Sequence, residues 1–515
     1  MSETKTNPYD AVAYPGHAFS QTHPGHLATI AHFHGMQAAP TATMRVLELG
    51  CGSGGNLIPM ALQSPGAAFV GIDLSASAIA RAKADAEELG LRNIDFRHLD
   101  IMEAGAALGS FDYILVHGVY SWVPPFVRER ILALFGELLR PQGIAYVSYN
   151  ALPGCRLRDL ARDVMLYETR DIEEPLERVR VARAAIKRFA EATDPDSFYG
   201  AALRERLQQI AEIPDNVLYH DDLNPGARAF ALHEVLDAAA PQGLQFLAEA
   251  SFPNNFGGAR GPAQQLLNAI PIDEPLRQEQ SLDLLIGRSF RQTLLCRSDV
   301  ALHRGFSRFA LAPYHLAANV READEKDERP GVGGFLFGDD VRLAVDLDTA
   351  KAALRALGQA WPGSLSHSEL VATALRAARD SLGPDTEREI ARLNEALTAI
   401  YRAGLLEIQL EPHRLTTTVS ERPVASLLAR RQAQSGNEVT DLRHRAVALD
   451  GVVVRKFISL LDGTRTAPML LAAMNDFLAE AHASGRAVAG LPQRATAEEV
   501  ETHLRDVARL GLLAG

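Results

Sequence analysis

Residues 45–56 read RVLELGCGSGGN, and this stretch decides the fold of the amino-terminal part of the chain. The apolar run at 46–49 predicts a buried strand, and the glycines after it let the backbone turn tightly beside a ligand and open into a helix. Gly50, Gly52 and Gly55 also satisfy the pattern GxGxxG, which alone is a weak signal of a dinucleotide-binding loop. The stretch therefore predicts a strand, a ligand-binding loop and a helix.

Glu48 lies two residues before Gly50 and narrows the choice of ligand. An acidic side chain here fits poorly beside the pyrophosphate of a dinucleotide, because the loop must present itself to an anion. It suits a ligand that carries positive charge. The form E-x-G-x-G-x-G resembles motif I of class I S-adenosylmethionine (SAM) methyltransferases, whose cofactor has a sulfonium and an ammonium where NAD has phosphates. We therefore expect SAM rather than NAD.

Two further acids follow at predicted strand ends. The apolar run 68–72 ends in Asp73, 23 residues after the first glycine of the loop, where a carboxylate can accept both hydroxyl groups of a ribose. That geometry serves NAD and SAM equally. Residues 94–99 predict a third strand that leads to Asp100 and Ile101. In class I methyltransferases an acid at this place meets the adenine amino group, and an apolar neighbour packs on the ring.

Strand and helix patterns alternate through this part of the chain. Residues 111–116 and 144–149 predict the fourth and fifth strands. Such alternation is typical of a doubly wound parallel sheet with its ligand at the carboxyl ends of the strands. Residues 244–250 and 290–296 predict the sixth and seventh strands. The predicted fold class is α/β, a Rossmann-like seven-stranded sheet of the class I methyltransferase type with a helical insertion.

Composition limits the class of protein. The chain has 515 residues, of which 47% are hydrophobic and 23% charged, and this length and composition predict several globular domains. The formal net charge is −12, which argues against broad nucleic-acid binding. No apolar run approaches the roughly 18 residues that span a bilayer, and residues 1–10 lack the apolar centre of a signal peptide. We expect a cytoplasmic protein without membrane insertion. Cys51, Cys155 and Cys296 form no CxxC pair, so no metal site is predicted.

The periodicity divides the chain into five segments. They are an N-terminal arm with the SAM-binding core at 1–156, a helical insertion at 157–240, the completion of the sheet at 241–300, a middle winged-helix-like domain at 301–420 and a C-terminal winged-helix-like domain at 421–515. In both C-terminal segments helices lead to a Gly-Leu-Leu strand, at 404–406 and at 511–513. Without a cluster of basic residues, DNA binding by these domains is disfavoured. Holding a polypeptide and a purely structural role both stay open.

Motifs along nearly the whole chain resemble one family. They are FSQTHP at 19–24, HGVYSWV at 117–123, SYN at 148–150, LHE at 232–234, GLQFLAEA at 243–250, TDLRH at 440–444 and LDGTR at 461–465. The family is that of bacterial SAM methyltransferases with a methyltransferase regulatory domain. Its members include protein-lysine methyltransferases that modify outer-membrane proteins and consist of a core, a dimerisation insert, a middle domain and a C-terminal domain.

The resemblance implies SAM as the cofactor and a lysine of a protein as the methyl acceptor. It also implies a homodimer through the insertion at 157–240, although from the residues alone the apolar stripes there pack equally well on the core. A small metabolite or lipid is the alternative acceptor. A SAM-binding interaction protein with little catalysis is the alternative from another functional class.

The expected cofactor site combines the glycine loop, the acids after the second and third strands, and an N-terminal lid. Its residues are Tyr14, Gln21, Glu48, Gly50, Cys51, Gly52, Gly54, Asn56, Asp73, Leu74, Asp100, Ile101 and His117. The acceptor is expected beyond the fourth and fifth strands, where aromatic and polar groups can hold an amine. The catalytic residues expected there are His117, Tyr120, Trp122, Tyr149 and Asn150. His117 is either a general base or a contact of the strand end or the cofactor.

Overall fold

A computed structural model of the chain describes residues 16–251, 261–271, 273–304, 310–323, 331–338, 341–381, 384–484 and 491–514. They form two compact units. The first takes in residue 16 and the described part of 30–306, and the second takes in 17–29 and the described part of 307–515. The boundary at residue 29 falls within helix α1 (Pro24–Phe33). Within the described residues, no helix is long and apolar enough to cross a bilayer.

The first unit is built on a seven-stranded sheet with the order β3-β2-β1-β4-β5-β7-β6. Its strands are β1 (Arg45–Leu49), β2 (Ala68–Asp73), β3 (Ile94–His98), β4 (Phe111–Val116), β5 (Leu139–Asn150), β6 (Leu244–Glu249) and β7 (Phe290–Arg297). Strands β1 to β5 pair in parallel, whereas β7 runs antiparallel to β5 and β6. The predicted class I methyltransferase fold is confirmed, with a mixed rather than wholly parallel sheet.

The first unit also contains α-helices that lie between its strands in the chain. They are α2 (Leu57–Gln63), α3 (Ala76–Glu88), α4 (Pro125–Leu138), α5 (Cys155–Glu168), α6 (Pro175–Ala192), α7 (Phe198–Glu212), α8 (Leu232–Ala239), α9 (Pro262–Asn268) and α10 (Pro275–Ile286). Strand β4 is buried along its whole length, which explains its continuous apolar sequence. Ile131 and Phe135 of α4 pack in one core with Leu47 of β1 and Ile114 of β4.

Helices α5, α6 and α7 form the insertion predicted from the sequence, and they share a small core of their own. Val179, Ile186 and Leu203 belong to this core and have the helical spacing seen in the sequence. A π-helical turn, Leu218–Asp222, follows the insertion. There the buried carboxylate of Asp222 accepts from guanidinium groups of α5 and α7, so an ion-pair network ties these helices together.

The second unit contains two helix-and-strand stretches, 315–409 and 424–513, which the sequence predicts to be winged-helix-like and which are called the two winged-helix arrangements below. Its helices are α11 (Asp348–Ala360), α12 (His367–Ala377), α13 (Thr386–Arg402), α14 (Leu427–Ser435), α15 (Gly451–Ser459), α16 (Ala467–Ala483) and α17 (Ala497–Arg509). Its strands are β8 (His315–Ala317), β9 (Val320–Glu322), β10 (Gly333–Phe337), β11 (Val341–Val345), β12 (Leu365–Ser366), β13 (Glu407–Gln409), β14 (Glu438–Thr440) and β15 (Ala446–Ala448).

A short extended segment pairs with later segments in each arrangement. In the first, β8 pairs antiparallel with β12, which follows α11, and with β13, which follows α13. In the second, Val424 bridges Asp462 after α15, and Ala425 bridges Leu513 after α17. Both stretches therefore bring a segment near their start against the segments that follow two of their helices.

Candidate active site

The glycine loop after β1 is held in left-handed backbone conformations that favour glycine. The φ angles are +77° at Gly50, +53° at Gly52 and +79° at Gly54. A Cβ atom at Gly50 would lie 2.5 Å from Val119, and one at Gly54 would lie 2.6 Å from Phe96, so these two glycines allow close packing of the protein itself. A Cβ atom at Gly52 would meet nothing within 4 Å. Of these three glycines, Gly52 is therefore the one whose Cβ position faces open space.

Glu48 is buried at the end of β1, immediately below this loop. Its Oε1 atom accepts a hydrogen bond of 2.8 Å from Nδ2 of Asn56, while its buried Oε2 atom has no hydrogen-bond partner in the described part of the chain. Burial raises the pKa of Glu48 to about 7, and the nearby charge of Asp73 adds to this effect, whereas the bond from Asn56 opposes it. A carboxylate oxygen in this state fits a cationic ligand.

Asp73 ends β2 beside the same loop. Its Oδ2 atom accepts from the backbone N–H of Gly52 at 2.8 Å, and its Oδ1 atom accepts from the N–H of Ser75 at 2.8 Å. Each carboxylate oxygen can accept more than one hydrogen bond, so this geometry still allows Asp73 to accept from ribose hydroxyls. The hydrogen bonds from the N–H groups of Gly52 and Ser75 fix the Asp73 carboxylate against the glycine loop.

The residues expected on the adenine side also follow strand ends. Leu74 comes directly after β2 and is 56% exposed, which is a large fraction for an apolar side chain. Asp100 follows β3 and caps the turn Ile101–Glu103 by accepting from the N–H of Met102 at 2.9 Å. Cys51 is buried in the loop, and burial raises the pKa of its thiol, which makes it a packing group rather than a nucleophile.

His117 follows β4 and contacts a tyrosine that the sequence did not single out. Its Nδ1 atom lies 2.9 Å from the hydroxyl of Tyr146 on β5, and its ring meets the edge of Phe290 at a centroid distance of 6.3 Å. Burial lowers the pKa of His117 to about 4. The imidazole is therefore neutral at neutral pH. The backbone N–H of Gly118 ties this region to β5, since it donates to Ser148 Oγ at 2.9 Å.

Tyr120 and Tyr149 are packed in the core beneath the carboxyl ends of β4 and β5. Tyr149 is 1% exposed, and its hydroxyl lies 2.9 Å from the hydroxyl of Thr293 on β7. The rings of Tyr120, Tyr149 and Phe230 contact one another at centroid distances of 5.2 to 6.3 Å. Their expected role on the acceptor side stays a prediction, and their observed contacts are those of a supporting layer.

Trp122 and Asn150 lie closer to solvent than the two tyrosines. The guanidinium of Arg158 on α5 lies 5.7 Å from the ring centroid of Trp122, so a cation of the insertion already occupies an aromatic face. The backbone N–H of Asn150 donates to Ser121 Oγ at 2.8 Å, which fixes the loop after β4 on the end of β5.

Of the two residues expected to form the N-terminal lid, the structure describes only Gln21. Tyr14 lies outside the described residues. Gln21 lies in a short 3-10 helix, Ser20–Thr22, which belongs to the second unit. Its contact with the cofactor stays a prediction.

Comparison with known proteins decides the family. A model described as "Methyltransferase domain" matches residues 40–191, one described as "Predicted methyltransferase regulatory domain" matches 214–297, and one described as "PKMT, C-terminal winged helix domain" matches 421–512. The chain is 31% identical over 455 residues to uncharacterized protein RP789 of Rickettsia prowazekii, covering 86% of this chain and 81% of that protein. The chain belongs to the class I SAM-dependent methyltransferases with a methyltransferase regulatory domain.

A solved structure is similar to this methyltransferase along almost its full length. PKMT2 from Rickettsia typhi superposes with a TM-score of 0.86 at 25% identity, covering 98% of this chain and 100% of that one. The complex of that protein with AdoHcy gives a TM-score of 0.85 at 23% identity with the same coverage, which supports the fold. The SAM cofactor and the methyltransferase activity expected from the sequence are confirmed at the level of the family.

The site residues of this methyltransferase fit SAM. SAM supplies a methyl group bound to a sulfonium, and its transfer requires an in-line nucleophile. The unsatisfied Oε2 of Glu48 is suited to a positive group, Asp73 to the ribose, and the open space at Gly52 to close approach of the backbone. Across the described residues, no group of three or more His, Cys, Asp or Glu side chains is arranged to hold a metal ion.

Sequence reasoning missed Tyr146 and Phe290, which contact His117. A usable signal was present on β5. Side chains of a strand alternate between its faces, so Tyr146, Ser148 and Asn150 share one face, opposite the face of Tyr149. That alternation places Tyr146 and Tyr149 on opposite faces, and the register of β4 with β5 decides that Tyr146 is the one that contacts His117.

Proposed function

We propose that this methyltransferase transfers methyl groups from SAM to lysine side chains of a protein. The observation that carries the proposal is the similarity to PKMT2 over 98% of the chain, which includes both winged-helix arrangements as well as the catalytic sheet. The match of residues 421–512 to the PKMT winged-helix domain supports the same acceptor. A lysine acceptor also agrees with the sequence motifs, which resemble those of protein-lysine methyltransferases.

The surroundings of His117 are compatible with an amine acceptor. A lysine must lose its proton before its nitrogen can attack the methyl group, and an uncharged imidazole does not repel the ammonium while one of its ring nitrogens can accept a hydrogen bond from it. His117 is neutral because burial lowers its pKa to about 4, and Phe290, 41% exposed beside it, offers an apolar wall for the methylene chain of a lysine. We assign Trp122 and Asn150 to the rim of this side and Tyr120 and Tyr149 to the layer that supports it.

The cofactor roles proposed for the glycine loop and the strand ends follow from their geometry. Glu48 holds the positive amino acid end of SAM, with Asn56 orienting its carboxylate. Asp73 holds the ribose, while Leu74, Asp100 and Ile101 border the adenine. Tyr14 and Gln21 are retained as proposed lid residues.

The insertion is proposed as a dimer interface. Helices α5 to α7 and the residues that flank them expose large apolar side chains, which is a common property of protein interfaces. These side chains are Leu157, Tyr167, Leu176 and Phe198. Light scattering of the intact protein tests this proposal, since a monomer at micromolar concentration would contradict it. The five domain boundaries and the cytoplasmic location stay predictions.

Residues 301–515 are proposed to hold the acceptor protein. Remote contacts can position a target amine without taking part in the chemical step. Removing both winged-helix arrangements should therefore impair methylation of a protein far more than methylation of a short peptide. The comparison requires a truncated enzyme with unchanged SAM affinity, because lost packing would otherwise imitate lost recognition. Equal activity of both enzymes on the protein would contradict the role.

The acceptor class is tested by following labelled methyl groups. Purified enzyme and SAM labelled in the methyl group are incubated with a bacterial lysate that has been separated into protein, lipid and small-molecule fractions. We expect label in the protein fraction, and none with an Asp73→Ala enzyme. Label confined to the small-molecule or lipid fraction would favour the alternative acceptor. No transfer to any fraction despite SAM binding would favour an interaction protein.

A further inference from the structure

Arg128, on the first turns of α4, differs from the other buried arginines of the described residues. Arg288 and Arg291 are paired with Asp283, and Arg443 is paired with Glu407. Arg128 is only 8% exposed, yet no carboxylate in the described part of the chain lies within ion-pair distance of it, and its buried Nη1 atom has no hydrogen-bond partner. Leaving a cation in this state is costly, because removal from water is not offset by an anion.

A second guanidinium contacts the same aromatic ring as Arg128. The Arg128 guanidinium is 5.0 Å from the ring centroid of Phe230, and that of Arg228 is 4.6 Å from the same centroid. Arg228 is exposed and pairs with Glu234 at 2.6 Å, so its charge is partly balanced. Of these two arginines, Arg128 is the one whose positive charge has no carboxylate partner within the described residues. The guanidinium of arginine is a planar, forked donor that suits a carboxylate, and here two of them contact one ring.

This pair lies at the end of the sheet where the acceptor is expected. The backbone N–H of Arg228 donates to the carbonyl of Ser121 in the loop after β4, and that of Phe230 donates to the carbonyl of Asn150 at the end of β5, both at 2.9 Å. Helix α4 itself begins directly after the β4 loop. Arg128 and Arg228 therefore border the same carboxyl edge of β4 and β5 that carries His117 and Asn150.

We propose that Arg128, assisted by Arg228, binds an acidic side chain of the acceptor protein close to the methylated lysine. This inference rests on the proposed protein acceptor and adds a sequence preference to it. A carboxylate at this place supplies the anion that the buried guanidinium lacks, and it brings the neighbouring lysine to the open edge of the sheet. An acceptor with a neutral residue at the same position leaves Arg128 unpaired and binds more weakly.

The test measures binding of synthetic peptides to the full-length enzyme saturated with AdoHcy. The peptides are fluorescent, consist of Gly and Ser around a central lysine, and carry a single Glu whose position differs from one peptide to the next on both sides of the lysine. Each has a control peptide with Gln in place of the Glu. We expect at least one Glu peptide to bind about tenfold or more tightly than its Gln control peptide. That preference should fall below about twofold in Arg128→Met and persist in Arg180→Gln. Arg180, an exposed residue of α6 paired with Glu177, is the matched control for loss of an arginine charge.

The controls separate this inference from the proposed function. Thermal unfolding checks folding, and Arg128→Met should be at least as stable as the wild type, because the variant no longer buries an unpaired charge. Equal or undetectable binding of every Glu and Gln pair by the wild type would overturn the inference, as would a preference that survives in Arg128→Met. Binding of tricarballylate, a small tricarboxylate, without any Glu preference would also overturn it in favour of a small acid. A Glu preference in binding, with no methyl transfer to the lysine of the same peptides when SAM replaces AdoHcy, would uphold the carboxylate site and contradict the lysine acceptor instead.

Discussion

The Nδ1 atom of His117 lies 2.9 Å from the hydroxyl oxygen of Tyr146, and the two ring centroids are 5.8 Å apart. Because burial lowers the pKa of His117 to about 4, this contact joins two neutral groups at neutral pH. When the tyrosine donates, the proton of the imidazole is on Nε2; when Nδ1–H donates, Nε2 is left as an acceptor. Tyr146 thus sets whether Nε2 of His117 donates or accepts a hydrogen bond on the acceptor side.

Replacing Tyr146 with Phe should lower kcat for methyl transfer by about threefold to tenfold and leave SAM affinity unchanged, because one hydrogen bond that orients His117 is lost. Steady-state kinetics and calorimetry measure the two quantities. Tyr113→Phe is the matched control, since its buried hydroxyl donates to the Ala39 carbonyl at 2.6 Å instead. A loss in Tyr146→Phe that simply adds to the loss in His117→Ala would show that the two residues act separately.

Replacing Asp73 with Ala should weaken SAM binding by about 2 to 4 kcal/mol, which is roughly 30-fold to nearly 1,000-fold in affinity. The carboxylate is expected to bind the ribose, and it also fixes the loop through the Gly52 N–H. Titration calorimetry on folded protein measures the effect. Asp95→Ala, which removes an exposed carboxylate paired with Arg97, should bind SAM normally. Unchanged affinity in Asp73→Ala would refute the proposed cofactor site.

A Gly52→Val substitution should abolish SAM binding, because the branched side chain would fill the open space in the loop. Gly90→Val provides a control for backbone strain. Gly90 has φ +69° and, like Gly52, open space at its Cβ position, but it ends helix α3 away from the loop. Both variants should lose about 1 to 3 kcal/mol of unfolding free energy. Only Gly52→Val should lose binding; retention of SAM by both variants would place the cofactor elsewhere.

SAM binding near neutral pH should release protons from Glu48. Burial raises the pKa of Glu48 to about 7, so part of the population is protonated in the free enzyme. A cationic ligand favours the ionised carboxylate and lowers this pKa, so affinity should increase as the pH rises through about 7. Calorimetry in buffers of different ionisation enthalpy counts the released protons. Glu48→Gln should release fewer protons than the wild type, and equal release by both would exclude Glu48 as their source.

Replacing Tyr149 with Phe should lower the free energy of unfolding by about 1 kcal/mol, because the buried hydrogen bond to Thr293 is lost. Chemical denaturation measures this change. In a Thr293→Val background the same substitution should cost much less, since the partner hydroxyl is already absent. If Tyr149→Phe left stability unchanged but reduced turnover, the hydroxyl would serve the acceptor directly, as the sequence alone suggested.

The fold could be predicted because its signals are local. The apolar run before Gly50, the acid at Asp73 and the alternation of strand and helix patterns each depend on neighbouring residues, and their order fixes the topology. Segment 17–29 could not be assigned in this way. Its partners are distant in the chain: His17 pairs with Glu438, and the hydroxyl of Thr29 accepts from the N–H of Leu410.

The parts of the candidate site that lie within one sequence motif could be predicted from the sequence. The parts that are assembled by tertiary packing could not. Glu48 and Asn56 form a hydrogen bond as neighbours of one loop. Arg128 and Phe230, by contrast, are brought together only when α4 and the segment before α8 meet at the end of the sheet. No spacing in the sequence marks an arginine that lacks an anion, because that property depends on every carboxylate around it.

The most direct measurement of the central claim identifies the methylated atom. Enzyme and methyl-labelled SAM are incubated with lysate protein, half of which has first been acetylated at its lysines, and the hydrolysed product is separated for methylated amino acids. The account predicts label in methyl-lysine from untreated protein and its loss after acetylation. Label that persists at full level in acetylated protein, or that is recovered in a residue other than lysine, would contradict it.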